Sequence, residues 1–326
     1  MSAPGPELSV ILPTDTYATV ANELAALRAQ TVREQLEIVI VTGSAVGLGP
    51  ENGTCDGFHS VTVVEVEHLY PLSRARARGV QAAAAPIVLL AESHAYLERR
   101  HCEALIRAHQ GSWAVVGPAM WNANPATMRS WAGLYLDYGP WVEVSRSGAA
   151  EVLPGHNSSY KRSVLLEYGD QLESMMKSSP RRHADLLSRG HRLYLEPGAR
   201  TYHLNVSLPW SWLEERLVGG RSYAAARSLH WSTARRLVYG AASPLIPAVR
   251  VGRVLRDMRR TQSAAFILRS LPALGVSLLV SAIGEGLGYL FGAGGATHRV
   301  NEMEVHKERY VRAADNPAVT GVVSGG

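Results

Sequence analysis

Short apolar runs of strand length alternate with helical stretches through the first ninety or so residues, and this alternation limits the fold more than any other feature. Leu8 to Leu12 reads as a strand and Ala18 to Gln30 as a helix rich in Ala and Leu. Leu36 to Val41 and Val61 to Val66 read as further strands, Leu72 to Ala85 as a second helix, and Ile87 to Ala91 as a fourth strand. Parallel neighbours need a crossover, and the crossover helix covers a sheet face, so the pattern predicts an α/β fold with helices flanking a mostly parallel sheet. Ligands in such sheets bind beyond the carboxyl ends of the strands. Pro13-Thr14-Asp15, Thr42-Gly43-Ser44 and Glu92-Ser93-His94 all fall at such ends.

Glu92 and His94 lie two positions apart, and side chains two apart on an extended chain point the same way. A carboxylate and a neutral imidazole at a strand's end can hold a divalent cation, which in turn can hold a diphosphate. Imidazole in place of a second carboxylate tilts such a site towards Mn²⁺ over Mg²⁺. The formal net charge of +5 favours an anionic partner. Two cysteines, Cys55 and Cys102, exclude a disulfide framework or a four-cysteine zinc site. The N-terminus lacks the charged and apolar regions of a signal peptide, so the first domain is expected in the cytoplasm, after a flexible segment at residues 1–6.

Trp113 to Gly117 reads as another strand, followed by a loop-rich region to Pro154 that holds Trp121, Trp131, Tyr135, Tyr138 and Trp141. These aromatics either stack on a sugar or pack a core. Arg192 to Leu195 and Arg200 to Leu204 read as short strands joined by a turn at Glu196-Pro197-Gly198. The C-terminal part changes character from about residue 236. Arg250, Arg253, Arg256 and Arg260 fall three to four residues apart, on one helical face. The apolar stretch Leu271 to Gly292 follows, with Glu285 as its single ionisable residue. It is long enough to span a bilayer, yet its Pro, Ser, Glu and Gly content favours an interfacial or re-entrant hairpin at a surface of anionic lipids. Gly284, Gly288 and Gly292 form a small-residue face suited to close helix packing, in an oligomer or a complex. Residues 297–326 read as a polar tail, disordered beyond Pro317. Basic residues gathered ahead of an apolar segment, without interleaved exposed aromatics, argue against a nucleic-acid partner.

The order of these motifs resembles that of the family-2 glycosyltransferases, which have a GT-A fold. Leu8-Ser9-Val10-Ile11-Leu12-Pro13-Thr14 is similar to the family's opening strand, and Leu72 to Gly79 to the helix before its metal-binding strand. Glu92-Ser93-His94 stands where most members carry Asp-x-Asp. Pro154-Gly155-His156-Asn157-Ser158-Ser159-Tyr160-Lys161-Arg162 resembles a segment near the acceptor, and Gly220-Arg221-Ser222-Tyr223 a later Arg-containing helix. The resemblance implies a catalytic domain over residues 7–235 and a membrane-associating helical region over 236–296. It implies inverting transfer of a sugar from a nucleotide sugar to a lipid-linked, polysaccharide or other cell-envelope hydroxyl at the cytoplasmic membrane face. It further implies Pro13, Thr14, Asp15, Thr42, Arg74, Glu92 and Arg221 around the donor, Glu92 and His94 on the metal, and Gly155, His156, Asn157 and Arg162 on the acceptor side.

Two departures from the family's pattern stand out. The second strand ends in Thr42-Gly43-Ser44 where relatives place an acid for the nucleobase. The general base that an inverting transfer needs has no carboxylate at the matching position, Ser178-Ser179. Glu173 and His183 are the nearest candidates, with Pro180 expected to break any helix through the segment. The alternative implied is a catalytically degenerate domain kept as a membrane-docked scaffold or subunit.

Overall fold

The computed structural model describes residues 5–46, 48 and 56–315. Residues 1–4 of the expected flexible N-terminus, Cys55 and the tail beyond Pro317 lie outside the described residues. The chain forms two compact units, residues 5–121 with 143–203 and residues 122–142 with 204–315.

The first unit is built on a mixed sheet. Its strands are β1 (Leu8–Pro13), β2 (Leu36–Thr42), β3 (Ser60–Glu65), β4 (Ile87–Leu90), β5 (Ala95–Leu97), β6 (Val115–Asn122), β7 (Gly148–Ala150), β8 (Ser159–Lys161) and β9 (Leu193–His203). They lie in the order β3-β2-β1-β4-β8-β6-β9-β5, with β7 paired to β9. The pairs β1–β2, β1–β4 and β2–β3 are parallel, and β8 runs antiparallel to β4 and to β6. Every residue of β1 and β2 is buried, whereas no residue of the edge strand β3 is fully buried. Leu24 and Leu27 of the helix Tyr17–Arg28 join Val10, Leu12, Ile38 and Leu89 in one apolar core. Two polar residues interrupt the apolar runs for a reason. Ser9 donates to the Glu37 carboxylate, which also accepts from the Ala84 amide at 2.7 Å, and the Ala85 amide donates to Ser9 Oγ at 3.0 Å.

Two local expectations are corrected. The Glu196-Pro197-Gly198 turn does not form. Pairing with β7 at Leu193–Leu195 and with β5 at Thr201–His203 holds β9 extended along its whole length. No helix runs through Pro180, as expected: the helix Leu172–Met176 ends before it, and Pro180 lies in the first turn of the next, Ser179–Ser188, where a missing N–H costs nothing, with the Ser178 side chain as N-cap. The region before Pro154 is not all loop either, since it contains the helix Met128–Tyr138.

In the second unit Trp131, Tyr135 and Tyr138 are buried, and Trp131 stacks on Tyr135 with centroids 6.0 Å apart. They are packing residues and are not available to a sugar. The stretch expected as a hairpin is one uninterrupted helix, Ala264–Phe291, with Pro272 inside it. Arg260 falls beyond the end of the helix Ile246–Met258, so the basic face holds Arg250, Arg253 and Arg256 without it. The small-residue face is used within the chain. A Cβ on Gly284 would lie 2.1 Å from the Leu217 carbonyl oxygen, and one on Gly288 would lie 2.4 Å from that of Arg221. Both carbonyls belong to the helix Pro209–Arg227, which therefore packs backbone to backbone against Ala264–Phe291. Residues 296–305 of the expected polar tail are helical, and Met303 packs with Val206 and Trp212.

Gly284→Ala is expected to destabilise the second unit by about 1–3 kcal/mol, the cost of overpacking a tight contact, and a thermal melt measures it. A second prediction concerns Glu23. Its carboxyl oxygens are buried without a hydrogen-bond partner, and burial first, then the charge of Glu92, pushes its pKa well above the ordinary value. The folded state therefore holds the proton more tightly than the unfolded chain, and stability falls as pH rises above the unfolded value near 4.5. Glu23→Leu should raise stability at pH 8 by about 1–3 kcal/mol and by less at pH 5, read from denaturant midpoints.

Candidate functional site

The parallel register brings Pro13 level with Val41, and Ile11 level with Leu90, so the carboxyl ends of β1, β2 and β4 share one edge of the sheet. Each loop there is shaped by its own polar groups. Thr14 donates its amide to Val41 O at 2.9 Å and its hydroxyl to Thr16 O at 2.8 Å. Thr42 Oγ1 donates to Ser44 O at 3.0 Å and accepts from the Ser44 amide at 3.2 Å. Asp15 is exposed and accepts from the Thr19 hydroxyl at 3.1 Å.

Beyond β4 the chain turns at Ser93-His94 rather than continuing extended. What brings its side chains together is a second pairing. In the antiparallel β5–β9 ladder Ala95 faces His203, so the residue next to His94 lies opposite the last residue of β9. His94 Nε2 then lies 3.2 Å from His203 Nε2 and 3.9 Å from Glu92 Oε1, and His203 Nε2 lies 3.9 Å from Glu92 Oε2. All three residues are buried, and their ligand atoms fall within 4.8 Å of one another.

This donor set can hold a metal ion. At metal–ligand distances of about 2.0–2.2 Å, ligand atoms on one ion lie roughly 3.0–3.5 Å apart. The His–His separation meets that spacing, and the two Glu–His separations exceed it by about half an ångström. Two imidazole nitrogens with one carboxylate suit a first-row transition ion better than Mg²⁺.

His156 and Asn157, expected on the acceptor side, clasp the carboxylate instead. Asn157 Nδ2 donates to Glu92 Oε2 at 2.9 Å, and its backbone amide donates to Leu90 O at 2.8 Å, prolonging the β4 edge. Asn157 has φ +57, a left-handed conformation that asparagine tolerates better than most residues. His156 Nδ1 lies 2.8 Å from Glu92 Oε1 and 2.8 Å from Arg76 Nη2. A protonated Nδ1 donates to the carboxylate, and an unprotonated one accepts from the guanidinium, so each state finds a partner. Burial alone would raise the Glu92 pKa, but His156, His94 and His203 together more than offset it and hold the carboxyl well below its ordinary range.

The other expected residues fall elsewhere. Gly155 permits a close approach, since a Cβ there would meet Ser179 Oγ at 2.6 Å. Arg162 donates to Val80 O at 3.0 Å and Gln81 O at 2.9 Å and so closes the end of the helix Leu72–Ala82. Arg221 belongs to the second unit, where its Nε donates to Gly292 O at 2.9 Å and caps the helix Ala264–Phe291. Arg74 and Glu173, both partly exposed, pair with each other at 3.4 Å. His183 is fully buried. The Leu153 amide donates to its Nδ1 at 3.4 Å, and Tyr160 Oη lies 2.9 Å from its Nε2. Burial, then the Arg182 charge, lowers its pKa to about 3. His183 is thus a brace inside the core and is not placed to take a proton from an acceptor.

His203 and Arg76 were not singled out as site residues by sequence. His203 lies 109 positions from His94, and only strand pairing joins them. Arg76 carries the same local signal as its helix neighbours Arg74 and Arg78. No family model matches the chain, and no curated protein matches it.

Asn157→Gly keeps the left-handed backbone accessible while removing the amide that holds Glu92. It should weaken Mn²⁺ or Zn²⁺ binding by roughly 10- to 100-fold in isothermal titration calorimetry, the usual cost of losing a group that orients a metal ligand. His203→Ala should weaken binding at least as much.

Proposed function

We propose that the first unit is a GT-A-type glycosyltransferase domain. It moves a sugar from a nucleotide-sugar donor to a hydroxyl of a lipid-linked or cell-envelope acceptor at the cytoplasmic face of a membrane. The observation that carries this reading is the buried Glu92, His94 and His203 group at the sheet edge where β1, β2 and β4 end. A divalent cation held by these three side chains would offset the charge that accumulates on the leaving diphosphate. The chain's own groups have separate tasks. Asn157 and His156 fix the Glu92 carboxylate. Arg76 contributes a permanent positive charge beside it. Thr14 and Thr42 shape the two loops between which a nucleoside would lie. Glu173 is the acid left to accept the acceptor's proton, once it parts from Arg74. The order of sequence motifs supports the same reading.

A second reading has an observation of its own. Of the two candidate bases, His183 is locked in the core and Glu173 is held in an ion pair. This favours a domain that binds a nucleotide without turning it over.

With Mn²⁺ and a panel of uridine, guanosine and thymidine diphosphate sugars, the protein should bind at least one donor and hydrolyse it slowly. Glu92→Ala and His94→Ala should remove both signals. Binding without hydrolysis under any acceptor condition supports the second reading, and no binding across the panel overturns both.

A further inference from the structure

The second unit carries an unpartnered apolar face. Twelve of the eighteen large apolar side chains exposed among the described residues lie between positions 228 and 295. Leu268, Leu271, Val276, Leu279, Ile283 and Leu290 follow one another at helical spacing along the outer side of Ala264–Phe291. This stripe runs for roughly 33 Å at 1.5 Å per residue. Leu237 and Val238 add to the exposed apolar surface from the helix Thr233–Ala241.

Charge decides what covers this face. Residues 228–295 contain eight arginines, no lysine and two acids. Both acids are buried and already paired, Asp257 with Arg260 at 3.2 Å and Glu285 with Arg250 at 2.6 Å. Arg253, Arg256, Arg259 and Arg269 are exposed. Arg235 is exposed too, its guanidinium 4.1 Å from the centre of the Trp231 ring, and Arg227 flanks the same ring at 5.3 Å. Trp231 in turn stacks on Tyr289 near the end of the apolar helix, with ring planes 7° apart. An apolar stripe accompanied by arginines, with a Trp–Tyr–Arg cluster at one end, matches an anionic bilayer surface, where acyl chains meet the stripe and phosphates meet the guanidinium groups.

The same helix is long enough to cross a bilayer, but its inner face excludes that arrangement. It packs on Pro209–Arg227, which carries Glu214, Glu215 and Arg216. Arg216 bonds Asp137 at 2.8 Å, Lys307 bonds Glu215 at 2.9 Å and Arg299 bonds Glu214 at 2.7 Å. Crossing the hydrocarbon would carry these charged groups with it, at a cost of several kcal/mol even when paired.

From these observations we infer that the second unit docks flat on an anionic lipid surface through the outer stripe of Ala264–Phe291 and the arginines beside it, without spanning the bilayer. The inference deepens the membrane part of the proposed function and is independent of sugar transfer, and its test uses neither donor nor metal. The full-length chain is mixed with vesicles of phosphatidylcholine alone or with phosphatidylglycerol, and bound protein is separated by flotation. Binding to the anionic vesicles only, weakened by added salt, is the expected result. Neutralising two surface charges, Arg235→Gln with Arg256→Gln, should reduce that binding by roughly tenfold to thirtyfold. Leu279→Asp should abolish it while leaving the thermal melt unchanged. Should Leu279→Asp unfold the protein, the arginine pair alone decides. Equal binding to neutral vesicles, no binding by the folded chain, or retention that resists both salt and alkaline carbonate would each overturn the inference. So would a self-associated chain that Leu279→Asp converts to monomer.

Discussion

A carboxylate taken out of water must be offset close at hand, and the way Glu92 is offset organises the candidate site. An isolated ionised carboxylate in a protein interior would instead take up a proton. Around Glu92 the offset is assembled from separate parts of the chain: His94 two residues on, His156 and Asn157 at the entry to β8, and His203 at the end of β9. His94 is local, but His156, Asn157 and His203 would not lie within reach without the β4–β8 and β5–β9 pairings. Sheet topology and site electrostatics are thus one problem. Slipping β9 by one residue against β5 would turn His203 to the opposite face and remove a third of the ligand set.

The same dependence explains what could be read from sequence and what could not. The strands β1, β2 and β4 were legible because each is a short apolar run bounded by polar or turn-forming residues. Glu92 and His94 were legible because they end such a run. Proposing a shared edge at Pro13-Thr14, Thr42 and Glu92 needed only local pattern plus the rule that parallel strands gather their ends. His203 was illegible as a ligand because its role depends on a ladder between segments about a hundred residues apart. His156 and Asn157 were found by motif, but their contact with Glu92 was not, since nothing in the local sequence says that this loop folds back onto Glu92. Proline read as punctuation held at Pro180, which separates two helices, and misled at Pro197, which sits in a strand whose two halves have different partners.

The buried groups that take part in no metal site supply a control for this reasoning. Glu37 is as enclosed as Glu92, yet its donors are the Ser9 hydroxyl and the Ala84 amide, both neutral and both local to the sheet. His183 is enclosed too, and it is matched to a tyrosine hydroxyl and a backbone amide. Each is a satisfied structural residue with no surplus of donors or acceptors. Glu92 differs in kind. Two imidazole nitrogens converge on it from 3.9 Å, too far for a hydrogen bond, while facing each other at 3.2 Å.

That surplus separates a binding site from a structural polar cluster. Asn157 and His156 already give Glu92 two close partners, so stability alone does not require His94 and His203 beside it. Two neutral imidazoles whose nitrogens approach at 3.2 Å form one N–H···N hydrogen bond, which uses the single in-plane site of each Nε2. A proton on each ring would place two positive charges side by side in a buried setting. A divalent ion could instead take a lone pair from each Nε2 together with a Glu92 oxygen. The cluster is thus a group that could hold a metal ion, with Asn157 and His156 steadying its carboxylate.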